Sequence, residues 1–252
     1  MIDTHCHLDD PHLYQRLEAV LSRSRAAGVS QWVVPGVSLA GFPALQKLQR
    51  PGITLALGLH PFFMAQHPVD AIDQLQYWLG LLQPPLMGEI GLDYTLPATT
   101  HAAQQHLLRQ QLRLAQQRQS PLLLHVRKAH EPMLQMLNQL KFPWGGIVHA
   151  FNGSLDQATR YGRLGFKLGF GGMLTRPHSR RLQTLARSVD DTALVLETDA
   201  PDLPPHPHKG KINEPALLPV VAQKLADLRG VSLAQMVALT SRNARVALNL
   251  EC

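Results

Sequence analysis

The chain has 252 residues, 45% hydrophobic and 17% charged, which excludes both a disordered polyelectrolyte and a mini-protein that needs staples to fold. Twenty-four Lys and Arg stand against 18 Asp and Glu, a charge of +6 that permits a polyanionic partner and equally describes an ordinary basic surface. The two cysteines, Cys6 and Cys252, exclude a disulfide framework or a cysteine-rich zinc module and suit a reducing compartment. No apolar run approaches the ~18 residues of a membrane span. The opening Met1-Ile2-Asp3-Thr4-His5 lacks the basic and apolar regions of a secretion signal, so the expected location is the cytoplasm, away from membrane.

In chain order, short apolar, β-prone runs begin at Ile2, Gln31, Thr54, Leu86, Leu122, Gly146, Lys167 and Ala193. Several are apolar almost throughout, as strands buried on both faces should be. Helical stretches over 13–27, 102–117 and 132–140 lie between them. The starts are 21 to 36 residues apart, room for one strand and one helix each. That count and length predict an α/β protein, a (β/α)8 TIM barrel. A doubly wound dinucleotide-binding sheet would want Gly-x-Gly-x-x-Gly after the first strand, where this chain has His7-Leu8-Asp9-Asp10-Pro11. No linker divides the chain, so 1–252 is expected to be one domain. The proline-rich segment 201–215 reads as a loop at the barrel mouth. Beyond it, 216–228 and 232–248 read as helices, giving the barrel an additional C-terminal helix; Ser232 with Gln235 is a capping-box pattern.

The chemistry sits where these strands end: His5 and His7 on the first, Glu89 on the fourth, His125 on the fifth, His149 on the sixth, Asp199 on the eighth. In a barrel those ends converge on one mouth. His5 and His7, two apart, face the same side, while Cys6 faces the other and packs as a small hydrophobe. Four imidazoles and two carboxylates would be costly to bury unpaired, and a divalent cation resolves that cost. Six ligands exceed what one tetrahedral ion needs, which predicts two ions about 3.5–4 Å apart. His60 ends the third strand facing the same mouth; it either binds or protonates a substrate oxygen or is a structural histidine held by Pro61. Asp93 and Glu197 read as supports that orient ligands.

The segments IDTHCHLD, LGLHP, GEIGLDY, LLLHVRKAH, VHAFNGS, LGFGG and LETDAPDL, followed by NEP, together resemble the TatD family of metal-dependent deoxyribonucleases over essentially the whole chain. VHAFNGS and GFGG lean toward its YjjV-like branch, within the amidohydrolase-like superfamily. The resemblance implies His5, His7 and Asp199 on one metal, Glu89 bridging, and His125 and His149 on the second. It also implies a 3′–5′ exonuclease on single-stranded DNA. The family's Phe-Ser-Gly-Ser is Phe151-Asn152-Gly153-Ser154 here, which puts one substrate contact in doubt.

The expected activity is phosphodiester hydrolysis by a water activated between two divalent ions, Mg2+, Mn2+ or Zn2+, with Asp199 as general base, Glu89 holding the metal spacing and His60 assisting. Arg127, Arg176 and Lys209 are candidate phosphate contacts and Phe151 a candidate stacking surface, with Phe62, Phe63 and Tyr94 beside it. Basic helix starts and loop aromatics are also common without such a role. Two rival readings remain: an ester or amide hydrolase, such as a D-aminoacyl-tRNA deacylase or a small-molecule amidohydrolase, and a non-enzymatic, metal-containing nucleic-acid-binding protein. A monomer without an obligate protein partner is expected.

Overall fold

A computed structural model describes residues 1–249; Cys252 lies outside them. Strands β1 (Ile2–Asp3), β2 (Gln31–Gly36), β3 (Ile53–Leu57), β4 (Leu86–Asp93), β5 (Leu122–Arg127), β6 (Gly146–Val148), β7 (Phe166–Phe170) and β8 (Leu194–Leu196) form one sheet in sequence order. Every neighbouring pair is parallel. The edges meet through Thr4 N–H to Leu196 O at 3.0 Å, Asp199 N–H to His5 O at 2.9 Å and a bridge between Cys6 and Ala200. This is the (β/α)8 barrel that the strand spacing predicts.

The helices are α1 (Pro11–Tyr14), α2 (Leu17–Ala26), α3 (Phe42–Gln46), α4 (Ala71–Leu82), α5 (His101–Arg118), α6 (His130–Gln139), α7 (Leu155–Arg163), α8 (Arg180–Ser188), α9 (Leu218–Arg229) and α10 (Leu233–Ala247). The helix expected over 13–27 is two. Asp10 accepts from His12 N–H and Pro11 opens α1, while Arg16 leaves helical geometry (φ −125°) and starts α2 afresh. Ser232 and Gln235 form the expected capping box on α10.

Two apolar layers result. Inside the barrel, Ile2, Val33, Ala56, Leu86, Leu123, Ile147 and Val195 pack with Ala244, Ala247 and Leu248, so α10 and the residue that follows it plug the end opposite the mouth. The larger layer lies between strands and helices and contains Cys6, whose thiol burial pushes well above its usual pKa. As expected, Cys6 faces away from its histidine neighbours. Among the described residues no helix is long and apolar enough to cross a membrane.

Candidate metal centre

Glu89 occupies the centre of the mouth. The ladder between β4 and β5 shifts register between Met87 and Ile90, a bulge that re-aims the side chain. Gly91 lets the two strands close up beside it, since a Cβ there would lie 1.8 Å from the His125 carbonyl oxygen. Glu89 is only 3% exposed. Its Oε2 is 3.3 Å from His5 Nε2; its Oε1 is 3.3 Å from His60 Nε2 and 3.2 Å from His125 Nδ1.

Asp199 faces Glu89 across the mouth. Its Oδ1 is 3.6 Å from His5 Nε2 and 3.8 Å from His7 Nε2, and its Oδ2 is 3.8 Å from His149 Nε2. The His5 and His149 rings stack at 3.6 Å between centroids. All six expected ligands and His60 therefore meet. Three overlapping groups, His5–His7–Asp199, His5–Glu89–His149 and His60–Glu89–His125, each bring their ligand atoms within 4.8 Å of one another. His125 and His149 appear in two of these groups, which share Glu89, and each ring is held by a carboxylate from its own side of the barrel.

Those carboxylates decide which nitrogen each ring presents. Asp93 Oδ2 is 3.1 Å from His125 Nε2, which leaves Nδ1 toward Glu89. Asp93 is itself held by Thr95, whose N–H donates to Oδ1 at 2.9 Å, and by Gln104 of α5, whose Oε1 accepts from the Asp93 N–H at 2.8 Å. Glu197 Oε1 lies 3.1 Å from His149 Nδ1 and accepts from Ala150 N–H at 2.7 Å, which leaves Nε2 toward Asp199. A Cβ at Gly169 would meet Glu197 Oε2 at 2.0 Å, so this glycine makes room for the carboxylate. Asp93 and Glu197 thus lie against the far nitrogens of His125 and His149, where a carboxylate fixes the orientation of a ring. His60 differs from the other rings: its Nδ1 accepts from Phe62 N–H at 3.1 Å, so in the neutral ring Nε2 carries the hydrogen.

Electrostatics sort these groups. Burial drives His5 and His60 toward the neutral form. Burial acts the same way on His149, but Glu197 and Asp199 outweigh it and push its pKa up to about 10. Asp93 and Glu89 likewise overcome burial to raise His125. Burial would protonate Glu89, yet the surrounding histidines hold it well below the usual carboxylate range. The donor set fits divalent metal. His5 and His7 turn their Nε2 atoms toward each other at 3.3 Å, and a cation satisfies both lone pairs at once. Neutral imidazole with carboxylate suits zinc, manganese or iron.

A cavity of about 770 Å³ opens from His125, His149 and Asp199 toward α8, walled by Met173, Leu182 and Leu185 and rimmed by Arg127, Asn152, His178 and Arg181. Arg127 and Lys209 are exposed, and Arg176 is half-buried with its Nε enclosed and unpartnered. Phe151 corrects the expectation of a stacking surface. It is 1% exposed, its ring packed edge-on against His130 at 5.2 Å and Tyr161 at 6.0 Å, because burial between α6 and α7 removes more apolar surface than the mouth offers. Phe62 is exposed, and Tyr94 stacks on His101 at 3.9 Å. Asn152, at the departure from the family pattern, places Oδ1 3.3 Å from His130 Nε2.

Sequence reading misses Asp3. Its buried carboxylate accepts from Thr198 N–H at 2.9 Å, Thr198 Oγ1 at 2.6 Å and His5 N–H at 3.3 Å, joining the two strand ends that carry His5 and Asp199. Burial raises its pKa to about 7 against those hydrogen bonds. An acidic residue two before His5 was the available signal.

The TatD related DNase family model matches residues 2–249. The chain is 37% identical over 233 residues to the uncharacterized metal-dependent hydrolase YjjV of Escherichia coli (strain K12), with 90% of each covered. It is 32% identical over 240 residues to the 3′-5′ ssDNA/RNA exonuclease TatD of Cronobacter sakazakii, covering 90% of this chain and 89% of that one. The crystal structure of YjjV, a TatD homolog from Escherichia coli K12, superposes with a TM-score of 0.95 at 34% identity, over 100% of this chain and 98% of the other. The buried histidine and carboxylate centre and these likenesses lead to one conclusion: the chain belongs to the TatD family of metal-dependent hydrolases.

Proposed function

We propose that this chain hydrolyses phosphodiester bonds of nucleic acid, trimming single-stranded DNA from its 3′ end as a cytoplasmic monomer with two divalent ions. The observation that carries the reading is Glu89, buried with one oxygen toward His5 and the other toward His125, where it would help to hold divalent ions bound by those imidazoles. The nuclease named TatD is the relative that points to nucleic acid. His5, His7 and Asp199 would hold one ion, and His125 and His149 the other, with Glu89 between.

Divalent cations bound there lower the pKa of a water and neutralise charge on non-bridging phosphate oxygens. Asp199, on the cavity wall, takes the proton of the attacking water as general base. The water oxygen bonds to phosphorus as the bond to the leaving oxygen breaks. The Nε2–H of neutral His60 hydrogen-bonds a phosphate oxygen or that leaving oxygen, which takes up the proton that Asp199 removed from the water. Asp93 and Glu197 hold the ring nitrogens in place, and Arg127, Arg176 and Lys209 meet the backbone charge.

The apolar cavity wall of Met173, Leu182 and Leu185 favours a second reading, an ester or amide hydrolase that seats an acyl side chain there, as on a D-aminoacyl-tRNA. One assay separates them. End-labelled single-stranded DNA is incubated with metal-stripped protein to which Mg2+, Mn2+ or Zn2+ is restored, beside His125→Ala. Metal-dependent cleavage that the variant lacks supports the nuclease, and the product ladder gives its polarity. Stoichiometric metal uptake without cleavage overturns it and turns the test to the ester substrate. Tight DNA binding that needs no metal and gives no turnover marks a binding protein.

A further inference from the structure

Asn213, in the NEP segment that closes the 201–215 loop, is fully buried. Its Nδ2 donates to two main-chain carbonyls, Thr198 O at 2.8 Å and Asp202 O at 2.7 Å. Its backbone N–H donates to Pro201 O at 2.9 Å, and its Oδ1 accepts from Glu214 N–H at 3.0 Å. These carbonyls bracket Asp199. The φ of Asp199 is +57°, a left-handed conformation that costs a residue with a side chain more than glycine, although aspartate is among those that adopt it most readily. From the barrel side, the Asp199 N–H is tied to His5 O at 2.9 Å. From the outer side, the turn is closed by the Asp202 N–H to Asp199 O bond at 2.8 Å and by the Asn213 carboxamide, which ties the Thr198 and Asp202 carbonyls together.

That carboxamide is anchored in turn. Glu214 forms a two-pronged ion pair with Arg23 of α2, at 2.8 and 2.9 Å. The chemistry is particular to asparagine at this reach. Two in-plane donors and one acceptor are all engaged; aspartate offers no donor, and glutamine sets its amide one methylene further out.

We propose that Asn213 is a positioning residue for Asp199, holding the left-handed turn in which that carboxylate faces His5, His7 and His149. The proposal rests on Asp199 being a metal ligand. Removal of the two donors frees the Thr198 and Asp202 carbonyls, lets the Asp199 backbone relax and withdraws its carboxylate from the imidazoles.

The test is a double-mutant cycle read as Zn2+ affinity, by competition with a chromophoric chelator on metal-stripped full-length protein. Asn213→Asp keeps shape and acceptor but lacks both donors. Asn213→Ala serves if that variant fails to fold, with circular dichroism as the check. The expected result is a loss of at least about tenfold for one ion, the one that Asp199→Ala weakens, in line with the effect of partners behind metal ligands. In the Asp199→Ala background, the Asn213 substitution then changes nothing beyond about twofold. Unchanged affinity in the single variant, or an equal loss in the Asp199→Ala background, overturns the proposal. Unchanged Zn2+ binding in Asp199→Ala alone refutes the ligand assignment itself, and the role of Asn213 falls with it.

Discussion

Asp93 grips the far side of the His125 ring, Oδ2 to Nε2 at 3.1 Å, so that the near nitrogen, Nδ1, points at Glu89. Without the carboxylate the ring is free to turn and is less basic. Asp93→Ala is expected to weaken metal binding by about 10- to 100-fold while the barrel stays folded. Chelator competition with circular dichroism reads both. Unaltered metal affinity would remove the orienting role.

Glu89→Ala takes away the carboxylate shared by His5, His60 and His125. If it stabilises transition-state charge through two ions by about 4 kcal/mol, turnover falls about a thousandfold or more. Wild-type turnover in a folded Glu89→Ala protein would sink the assignment.

His60 separates from the ligands by its hydrogen-bond pattern. With Nδ1 accepting from Phe62 N–H, its Nε2 is a donor and has no lone pair for a metal. His60→Ala is therefore expected to lower kcat by about 10²- to 10³-fold, the range of a lost hydrogen-bond donor to developing negative charge, with full metal content. Metal analysis beside kinetics decides it; an ion lost together with activity makes His60 a ligand.

Metal uptake should depend on pH through His149. Its folded-state pKa of about 10 lies above the ordinary 6.5, so the metal-free native state holds this proton more tightly than the unfolded chain. The stability it contributes is fully present below about pH 6.5 and is lost as pH rises toward 10. The melting temperature of metal-free protein should fall across that window. Metal must displace the same proton, so apparent affinity should rise up to about tenfold per pH unit for each proton released. Calorimetry in two buffers of different ionisation enthalpy counts the protons, and zero release contradicts a protonated His149.

Arg127 lies on the rim of the cavity and Lys209 is exposed on the 201–215 loop, and both are proposed to meet a phosphate backbone. Arg127→Ala and Lys209→Ala should raise KM for single-stranded DNA with little change in kcat, each reducing the salt slope of binding by about one. KM values measured across a salt series check this, and an unchanged slope places the residue outside the substrate path.

Much of the barrel and the membership of its centre are legible in one dimension. Apolar runs of strand length recur at strand-plus-helix spacing, and a polar residue at the end of such a run must sit at the mouth once the strands are parallel. His5, His7, Glu89, His125, His149 and Asp199 are therefore readable as a convergent set before any coordinate is known. Ser232 and Gln235 were readable too, because a capping box spans one turn of chain.

Tertiary structure alone decided the rest, wherever the partner comes from a distant part of the chain. The ring nitrogen that His125 presents depends on Asp93, 32 residues away, and that of His149 on Glu197, 48 residues away. Phe151 has the composition of a stacking surface, but the packing of α6 and α7 drew it inside. Asp3 and Thr198 meet only because the barrel closes. The sequence by itself determined which groups arrive at the mouth, since strand periodicity is local. Their rotation, protonation and accessibility were decided by the neighbours that folding brought to them.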